Sequence, residues 1–126
     1  MRSLNKTDVI GKRIAEVIIS MPDIPVTMST HSYSAGFLRL NTGEIIDLRI
    51  CEPPLLACEE RDVCEIVRDR KYEKEFRPAI GETIIAVTLP DEKEDGDLEI
   101  ITANGFVITY AASPFWNRPV INNVKS

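Results

Sequence analysis

The segment VIGKRIAEVIIS, residues 9–20, decides the fold, because its pattern returns later in the chain as AIGETIIAVTLP, residues 79–90. Both segments begin with an apolar residue followed by Ile-Gly, and both continue into a run rich in Ile and Val. Gly11 and Gly81 stand at the same place in the two segments, 70 positions apart. Runs of β-branched residues are typical of strands, and a glycine allows a backbone conformation that other residues disfavour. The two segments therefore predict two equivalent strands, one after each glycine.

A second pair of segments repeats in the same order: GFLRLNTGEIIDL, residues 36–48, and DLEIITANGFVITY, residues 97–110. Each reads as a strand, a tight turn containing glycine and a second strand. Gly43 and Gly105 lie 62 positions apart, so the order of elements is kept while the connection before the hairpin is 8 residues shorter. A surface loop absorbs a difference of that size at little cost in free energy.

The two turns differ in their predicted length. Asn-Thr-Gly at residues 41–43 suits a three-residue loop with glycine in the left-handed conformation. Asn-Gly at residues 104–105 lies between apolar runs and predicts a two-residue turn. Such a turn would place Ile101 opposite Ile108 and so fix which side chains share a face of the sheet.

These patterns predict a mainly β fold, with a β-rich α+β fold as the alternative. A single three-stranded meander exposes an apolar face and is marginal alone. Two pseudo-repeated three-stranded antiparallel meanders, over about 9–54 and 79–122, would cover each other's faces as a sandwich or a partly open barrel. The 126 residues are predicted to form a single domain, 1–126, with 55–78 joining the halves. Internal duplication and the chance likeness of two hairpins both explain the repetition.

The connection between the halves is predicted to contain at most one helix, within residues 55–76. Over residues 58–76 the acids come early and the bases late, which matches the helix macrodipole. The apolar residues form only a short stripe. The alternative is a strand over residues 62–68, a fourth strand for the first half, as residues 118–122 would be for the second.

Composition and charge restrict the partners. A net charge of −5 repels phosphate backbones, so we predict no nucleic-acid partner and find a cationic partner electrostatically easier. No apolar run approaches the ~20 residues that cross a bilayer, and no secretory signal is visible, so no membrane partner is predicted. Three cysteines without disulfide-type spacing indicate free thiols and a cytoplasmic location.

The sequence contains no recognisable catalytic or metal motif. His31 is the single histidine, and the serines beside it occupy an apparent loop without a nucleophile elbow. Cys51, Cys58 and Cys64 could join His31 as four zinc ligands, but they lack the close pair that structural zinc sites use. The acidic segment 91–99 departs from the EF-hand pattern. We therefore predict no catalytic residue, no metal and no cofactor.

The basic segment, residues 67–78, interleaves five bases with Tyr72 and Phe76, a superficial likeness to RNA-binding surfaces. Acidic residues are interspersed among the bases, and the whole chain is acidic. A solvent-exposed segment of mixed charge is therefore favoured.

Phe115, Trp116 and Arg118 form the candidate interaction surface. They lie between Pro114 and Pro119, in a segment that the prolines keep out of a regular helix. A tryptophan close to an arginine is the residue mix of interface hot spots. The structural alternative is that Phe115 and Trp116 close one open end of the β core.

In size, acidity and its apolar-Asn-Gly-apolar hairpin at residues 103–106, the chain resembles small bacterial immunity-type proteins and many β-rich bacterial domains. That resemblance implies a non-catalytic protein that binds and blocks a partner. We therefore expect a protein-interaction module that acts on a protein partner or self-associates as a homodimer. The alternative is a small-ligand-binding protein or a modest hydrolase, with a cleft between the halves near His31 and Tyr33.

Overall fold

The structure is a computed structural model that describes residues 2–23, 31–49, 55–89, 98–112 and 116–123. Within these ranges the chain forms two open five-stranded sheets, so the prediction of a mainly β fold is confirmed. Sheet 1 has the order β1-β6-β5-β4-β2, formed by β1 (Arg2–Leu4), β6 (Leu55–Cys58), β5 (Ile45–Asp47), β4 (Gly36–Leu40) and β2 (Ile14–Ile19). Sheet 2 has the order β3-β10-β9-β8-β7, formed by β3 (Ser32–Tyr33), β10 (Trp116–Asn123), β9 (Phe106–Ala112), β8 (Glu99–Thr102) and β7 (Ile84–Thr88).

Each half contributes a four-stranded antiparallel meander rather than the three strands expected. The consecutive pairs β2–β4, β4–β5 and β5–β6 have their counterparts in β7–β8, β8–β9 and β9–β10. The registers match as well, since Val17 lies opposite Leu38 and Val87 lies opposite Ile100. Both first strands also carry a register shift at the same place, between Ile14 and Glu16 and between Ile84 and Ala86.

The two sheets are joined where β2 and β7 begin. The Gly11 N–H donates to the Ile84 carbonyl at 2.8 Å, and the Gly81 N–H donates to the Ile14 carbonyl at 2.7 Å. The two glycines have φ angles of +94° and +83°, which an L side chain adopts only with strain. The glycines that precede the two strands therefore permit a reciprocal pair of hydrogen bonds between the sheets.

The β8–β9 hairpin differs by one residue from the register that the sequence predicts. Ile101 lies opposite Val107 rather than Ile108, so the loop has three residues instead of two. The reason is that Gly105 alone takes the left-handed conformation, with φ +89°, and its N–H donates to the Thr102 carbonyl at 3.0 Å. The three-residue loop predicted at residues 41–43 is confirmed by the same geometry, with the Gly43 φ at +101°.

The prediction of at most one helix within residues 55–76 is wrong. Two short helices lie there, α1 (Glu60–Val63) and α2 (Arg70–Glu73), and a 3-10 turn (Lys74–Ala79) follows α2. A continuous helix cannot form because the residues between them bond to the edge of β2. The Val67 carbonyl accepts from Met21 N–H at 2.9 Å, and Asp69 N–H donates to the Ile19 carbonyl at 2.8 Å. The alternative of a strand over residues 62–68 is also wrong, since the fourth strand is β6.

The main core lies between the sheets and draws side chains from both. Alternate residues of each strand point inward, as the period of a strand requires. The buried members include Val17, Leu38 and Ile46 of sheet 1, Val87, Ile100 and Ile108 of sheet 2, and Phe76 of the linker, which is the segment between β6 and β7. A smaller cluster lies on the outer face of sheet 1, where Val63 of α1 covers Ile18, Phe37 and Ile45. The sandwich-like packing follows from these two layers.

Candidate interaction surface

A two-residue strand brings the two groups of candidate residues together. β3 pairs in parallel with the start of β10, so that Ser32 lies opposite Trp116 and Tyr33 lies opposite Asn117. The sequence predicted a loop around His31 and offered no signal for β3. Residues of the first half thereby join the sheet of the second half, beside the predicted interaction residues.

The two groups lie on opposite faces of β10. Trp116 and Arg118 share one face, because alternate residues of a strand point the same way. Asn117 points to the other face, where its Oδ1 lies 2.7 Å from His31 Nε2. The ring centroids of His31 and Tyr33 are 4.9 Å apart, and Tyr33 is 51% exposed. His31, Tyr33 and Asn117 therefore form a separate polar cluster, on the face of β10 opposite to Trp116 and Arg118.

The guanidinium of Arg118 is held between two aromatic rings. Its central carbon lies 4.2 Å from the centroid of the Trp116 ring and 4.4 Å from that of the Tyr72 ring. Tyr72 is fixed in turn, since its hydroxyl donates to the Pro119 carbonyl at 2.5 Å and its ring packs edge-on against Phe76. We name Tyr72, Trp116 and Arg118 the aromatic–arginine surface.

The charge of Arg118 is not neutralised by an acid in the described part of the chain. No carboxylate there forms an ion pair with it, and its Nε is buried without an acceptor. Burial raises the pKa of the Tyr72 hydroxyl, although the nearby charge of Arg118 acts in the opposite direction. The surface thus presents a half-buried cation whose orientation is fixed by two aromatic rings.

Tyr72 reaches this position because the linker is fastened to β2. Asp69 Oδ1 accepts from the Tyr72 N–H at 3.1 Å and caps α2. Arg68 Nε pairs with Glu73 Oε2 at 2.8 Å, and the same carboxylate oxygen accepts from the Ile19 N–H at 2.9 Å. The Glu73 side chain is only 9% exposed, so these bonds are largely shielded from water.

The basic segment, residues 67–78, presents charges to solvent and turns its rings inward. Phe76 is fully buried, and one face of the Tyr72 ring is covered by Arg118. Nucleic-acid bases stack on exposed aromatic faces, and the burial of these two rings limits that mode of binding.

The thiols of Cys58 and Cys64 differ in their burial. Cys58 is buried in sheet 1, where burial raises the pKa of its thiol, and Cys64 is exposed. Cys51 and the acidic residues 91–97 lie outside the described ranges. Among the residues inside them, no three His, Cys, Asp or Glu side chains come together as metal ligands.

No helix of this part of the chain is both long and apolar enough to span a membrane.

Two of the three residues that the sequence predicted as an interaction surface, Trp116 and Arg118, belong to the aromatic–arginine surface. Phe115 lies outside the described residues, whereas Trp116 and Arg118 are both half-buried. Tyr72 was not predicted to belong to it, and no sequence pattern connects Tyr72 with a strand 47 positions away. Only the tertiary structure shows that contact.

Comparison with known proteins adds no assignment: no protein-family model, curated protein or solved structure matches this chain.

Proposed function

We propose that this protein is a non-catalytic protein-binding module, of the inhibitor or immunity type, that contacts a partner protein through the aromatic–arginine surface. The observation that carries the proposal is the position of the Arg118 guanidinium, 4.2 Å from the Trp116 ring centroid and 4.4 Å from the Tyr72 ring centroid. Within the described residues, no acid forms an ion pair with it. Phe115 belongs to the proposed surface by its place in the sequence, next to Trp116.

Stacking lowers the cost of using this arginine as an anchor. Immobilising a flexible side chain costs about 0.5–1.5 kcal/mol on binding, and the two rings have already restricted Arg118. The planar donors of a guanidinium fit a carboxylate or a carbonyl of the partner better than an ammonium does. Truncating an anchor of this kind costs about 2 kcal/mol or more, which is roughly a 30-fold loss of affinity.

The test compares Arg118 with an arginine outside the surface. Tagged protein retrieves its partner from an extract of the source cells, and calorimetry then measures the affinity of the purified partner. We expect Arg118→Ala to weaken binding about 30-fold and Arg118→Lys to weaken it several-fold. Arg61→Ala is the matched control, because Arg61 is 81% exposed and pairs with Glu59 instead.

Stability measurements separate binding from folding. Arg118→Ala and Trp116→Ala should leave the melting temperature within a few degrees of the native value while the partner is lost. If Arg118→Ala binds as tightly as the native chain, the proposal fails. A large loss of stability in Trp116→Ala would assign that residue to the core.

Self-association as a homodimer is part of the proposal, as is a cytoplasmic location. β7 forms one edge of sheet 2, and its Ile85 is 53% exposed, which supports pairing between copies. The thiols of Cys58 and Cys64 are free, as a reducing compartment requires. Sedimentation at several concentrations tests the dimer, and a monomer throughout would remove it.

The two halves are proposed to be pseudo-repeats of one ancestral unit. The equal registers of the paired strands and the reciprocal bonds of Gly11 and Gly81 support that origin. Separate expression of residues 79–122 as a tandem of two copies tests whether the second half can take the place of the first.

A second candidate function is small-ligand binding, or modest hydrolysis, at the polar cluster. The observation that favours it is the link between His31 and Asn117, with the Tyr33 ring beside it. His31→Ala should then remove stabilisation by a ligand found in a thermal-shift screen. The protein-binding function predicts that this substitution has no effect on partner affinity.

A further inference from the structure

A second concave surface lies along the edge of β2. A groove of about 340 Å³ separates this edge from the segment that runs from α2 into β7. Its exposed apolar side chains are those of Ala15 and Ile80, and Ile80 is 42% exposed. Three bases stand along it: Arg70, Lys74 and Arg77. We name this the basic groove; Glu16 and Glu73 complete its lining.

The two carboxylates of the basic groove are already engaged by arginines. Glu73 lies 2.8 Å from Arg68, and Glu16 lies 3.1 Å from both Arg68 and Arg39. Arg70 reaches the Glu73 carboxylate only at 3.9 Å. The lining therefore carries three bases against two carboxylates that are already paired, on a chain whose net charge is −5.

Lys74 and Arg77 are the bases left for a partner. Both are exposed, and within the described ranges neither forms an ion pair. Because they stand next to the apolar side chain of Ile80, a ligand that satisfies them can also bury apolar surface.

The backbone of β2 adds a hydrogen-bond donor beside the groove. The Val17 carbonyl accepts from Arg68 Nη2 at 3.2 Å, on the edge of β2 that faces away from β4. The N–H and C=O of one strand residue point to the same edge, so the Val17 N–H faces the groove side too. In the described residues this N–H has no acceptor.

We infer that the basic groove binds an extended acidic segment of a partner protein, with its carboxylates at Lys74 and Arg77 and one apolar side chain against Ile80. Charge complementarity selects an acidic occupant, and the apolar wall distinguishes a peptide from a simple anion. Nucleic acid is disfavoured, because Phe76 is fully buried and Arg118 covers one face of the Tyr72 ring, which limits base stacking. None of the residues that line this groove belongs to the aromatic–arginine surface.

The probe is a fluorescein-labelled acidic peptide, acetyl-EDIDEE-amide, titrated with the full chain in anisotropy measurements. We expect saturable binding that Lys74→Ala/Arg77→Ala weakens about tenfold. The matched control is Arg61→Ala/Lys71→Ala, which removes the same charge from two exposed residues outside the groove and should change the dissociation constant less than twofold. Raising the salt from about 50 to 300 mM should weaken binding several-fold.

Further measurements make the result decisive. Replacing the isoleucine of the peptide by serine should weaken binding about fivefold, because the contact with Ile80 is lost. Equal binding of the two peptides, equal losses in the groove and control variants, or tighter binding of a 12-residue oligouridylate would each overturn the inference. Circular dichroism melts verify that the variants fold. Arg118→Ala should bind the peptide normally, so failure here is distinguishable from failure of the proposed function.

Discussion

At Gly36, a strand of sheet 1 lies so close to a strand of sheet 2 that a larger side chain does not fit without movement. A Cβ atom added there would lie 2.1 Å from Pro119 Cγ and 3.2 Å from its Cβ and Cδ atoms. Carbon atoms pack at about 3.5–4.0 Å, so Gly36→Ala must separate β4 from β10 by more than about 1 Å. Overpacking a core costs about 1–3 kcal/mol. Because the obstacle is a rigid and buried proline ring, we expect Gly36→Ala to lower the free energy of unfolding by about 3 kcal/mol.

A double-mutant cycle measures this contact directly. Pro119→Ala removes Cγ and Cδ but keeps the Cβ atom at 3.2 Å, so Gly36→Ala should cost only about 1 kcal/mol in that background. Urea unfolding followed by circular dichroism gives the four free energies, and the expected coupling is about 2 kcal/mol. A coupling below about 0.5 kcal/mol would refute the close packing of β4 on β10 at this residue pair.

Two further predictions concern the ion pairs. Glu73→Gln removes the charge that pairs with Arg68 and weakens the acceptor of the Ile19 N–H, and we expect it to lower the urea unfolding free energy by about 2 kcal/mol. A loss below about 0.5 kcal/mol would contradict that role. The hydrogen bond from Lys12, at 2.6 Å, and a second one from Thr42 lower the pKa of the Glu44 carboxyl from 4.5 to about 2. Ionised Glu44 therefore stabilises the fold fully above its unfolded pKa, and this stabilisation is lost as the pH falls towards 2. Lys12→Met should flatten the pH dependence of the melting temperature across that interval. An unchanged slope would contradict the role of Lys12.

The strand pattern was predictable because its determinants are local. The runs of Ile and Val alternate in step with the pleat, and glycine marks each turn that needs a left-handed residue. The error of one residue in the β8–β9 register has an equally local origin. Asn104 and Gly105 both tolerate positive φ, and the sequence does not say that only Gly105 adopts it.

The helices and β3 were not predictable, because their determinants are tertiary. The linker breaks into two helices where residues 67–69 bond to the edge of β2, far away in the sequence. β3 contains two residues, too few for any periodicity, and it exists through its pairing with β10. Propensity gives a weak signal at both places, and contacts between distant residues override it.

The aromatic–arginine surface depends on both local and tertiary determinants. Trp116 and Arg118 could be chosen from composition, but the ring that completes the stack comes from Tyr72, which is positioned by a linker bonded to residues 54 positions away. Loosening that linker should therefore weaken binding at the aromatic–arginine surface without altering Tyr72, Trp116 or Arg118. Glu73→Gln meets this condition, so its effect on affinity tests whether the orientation of Arg118, rather than its charge alone, makes the anchor.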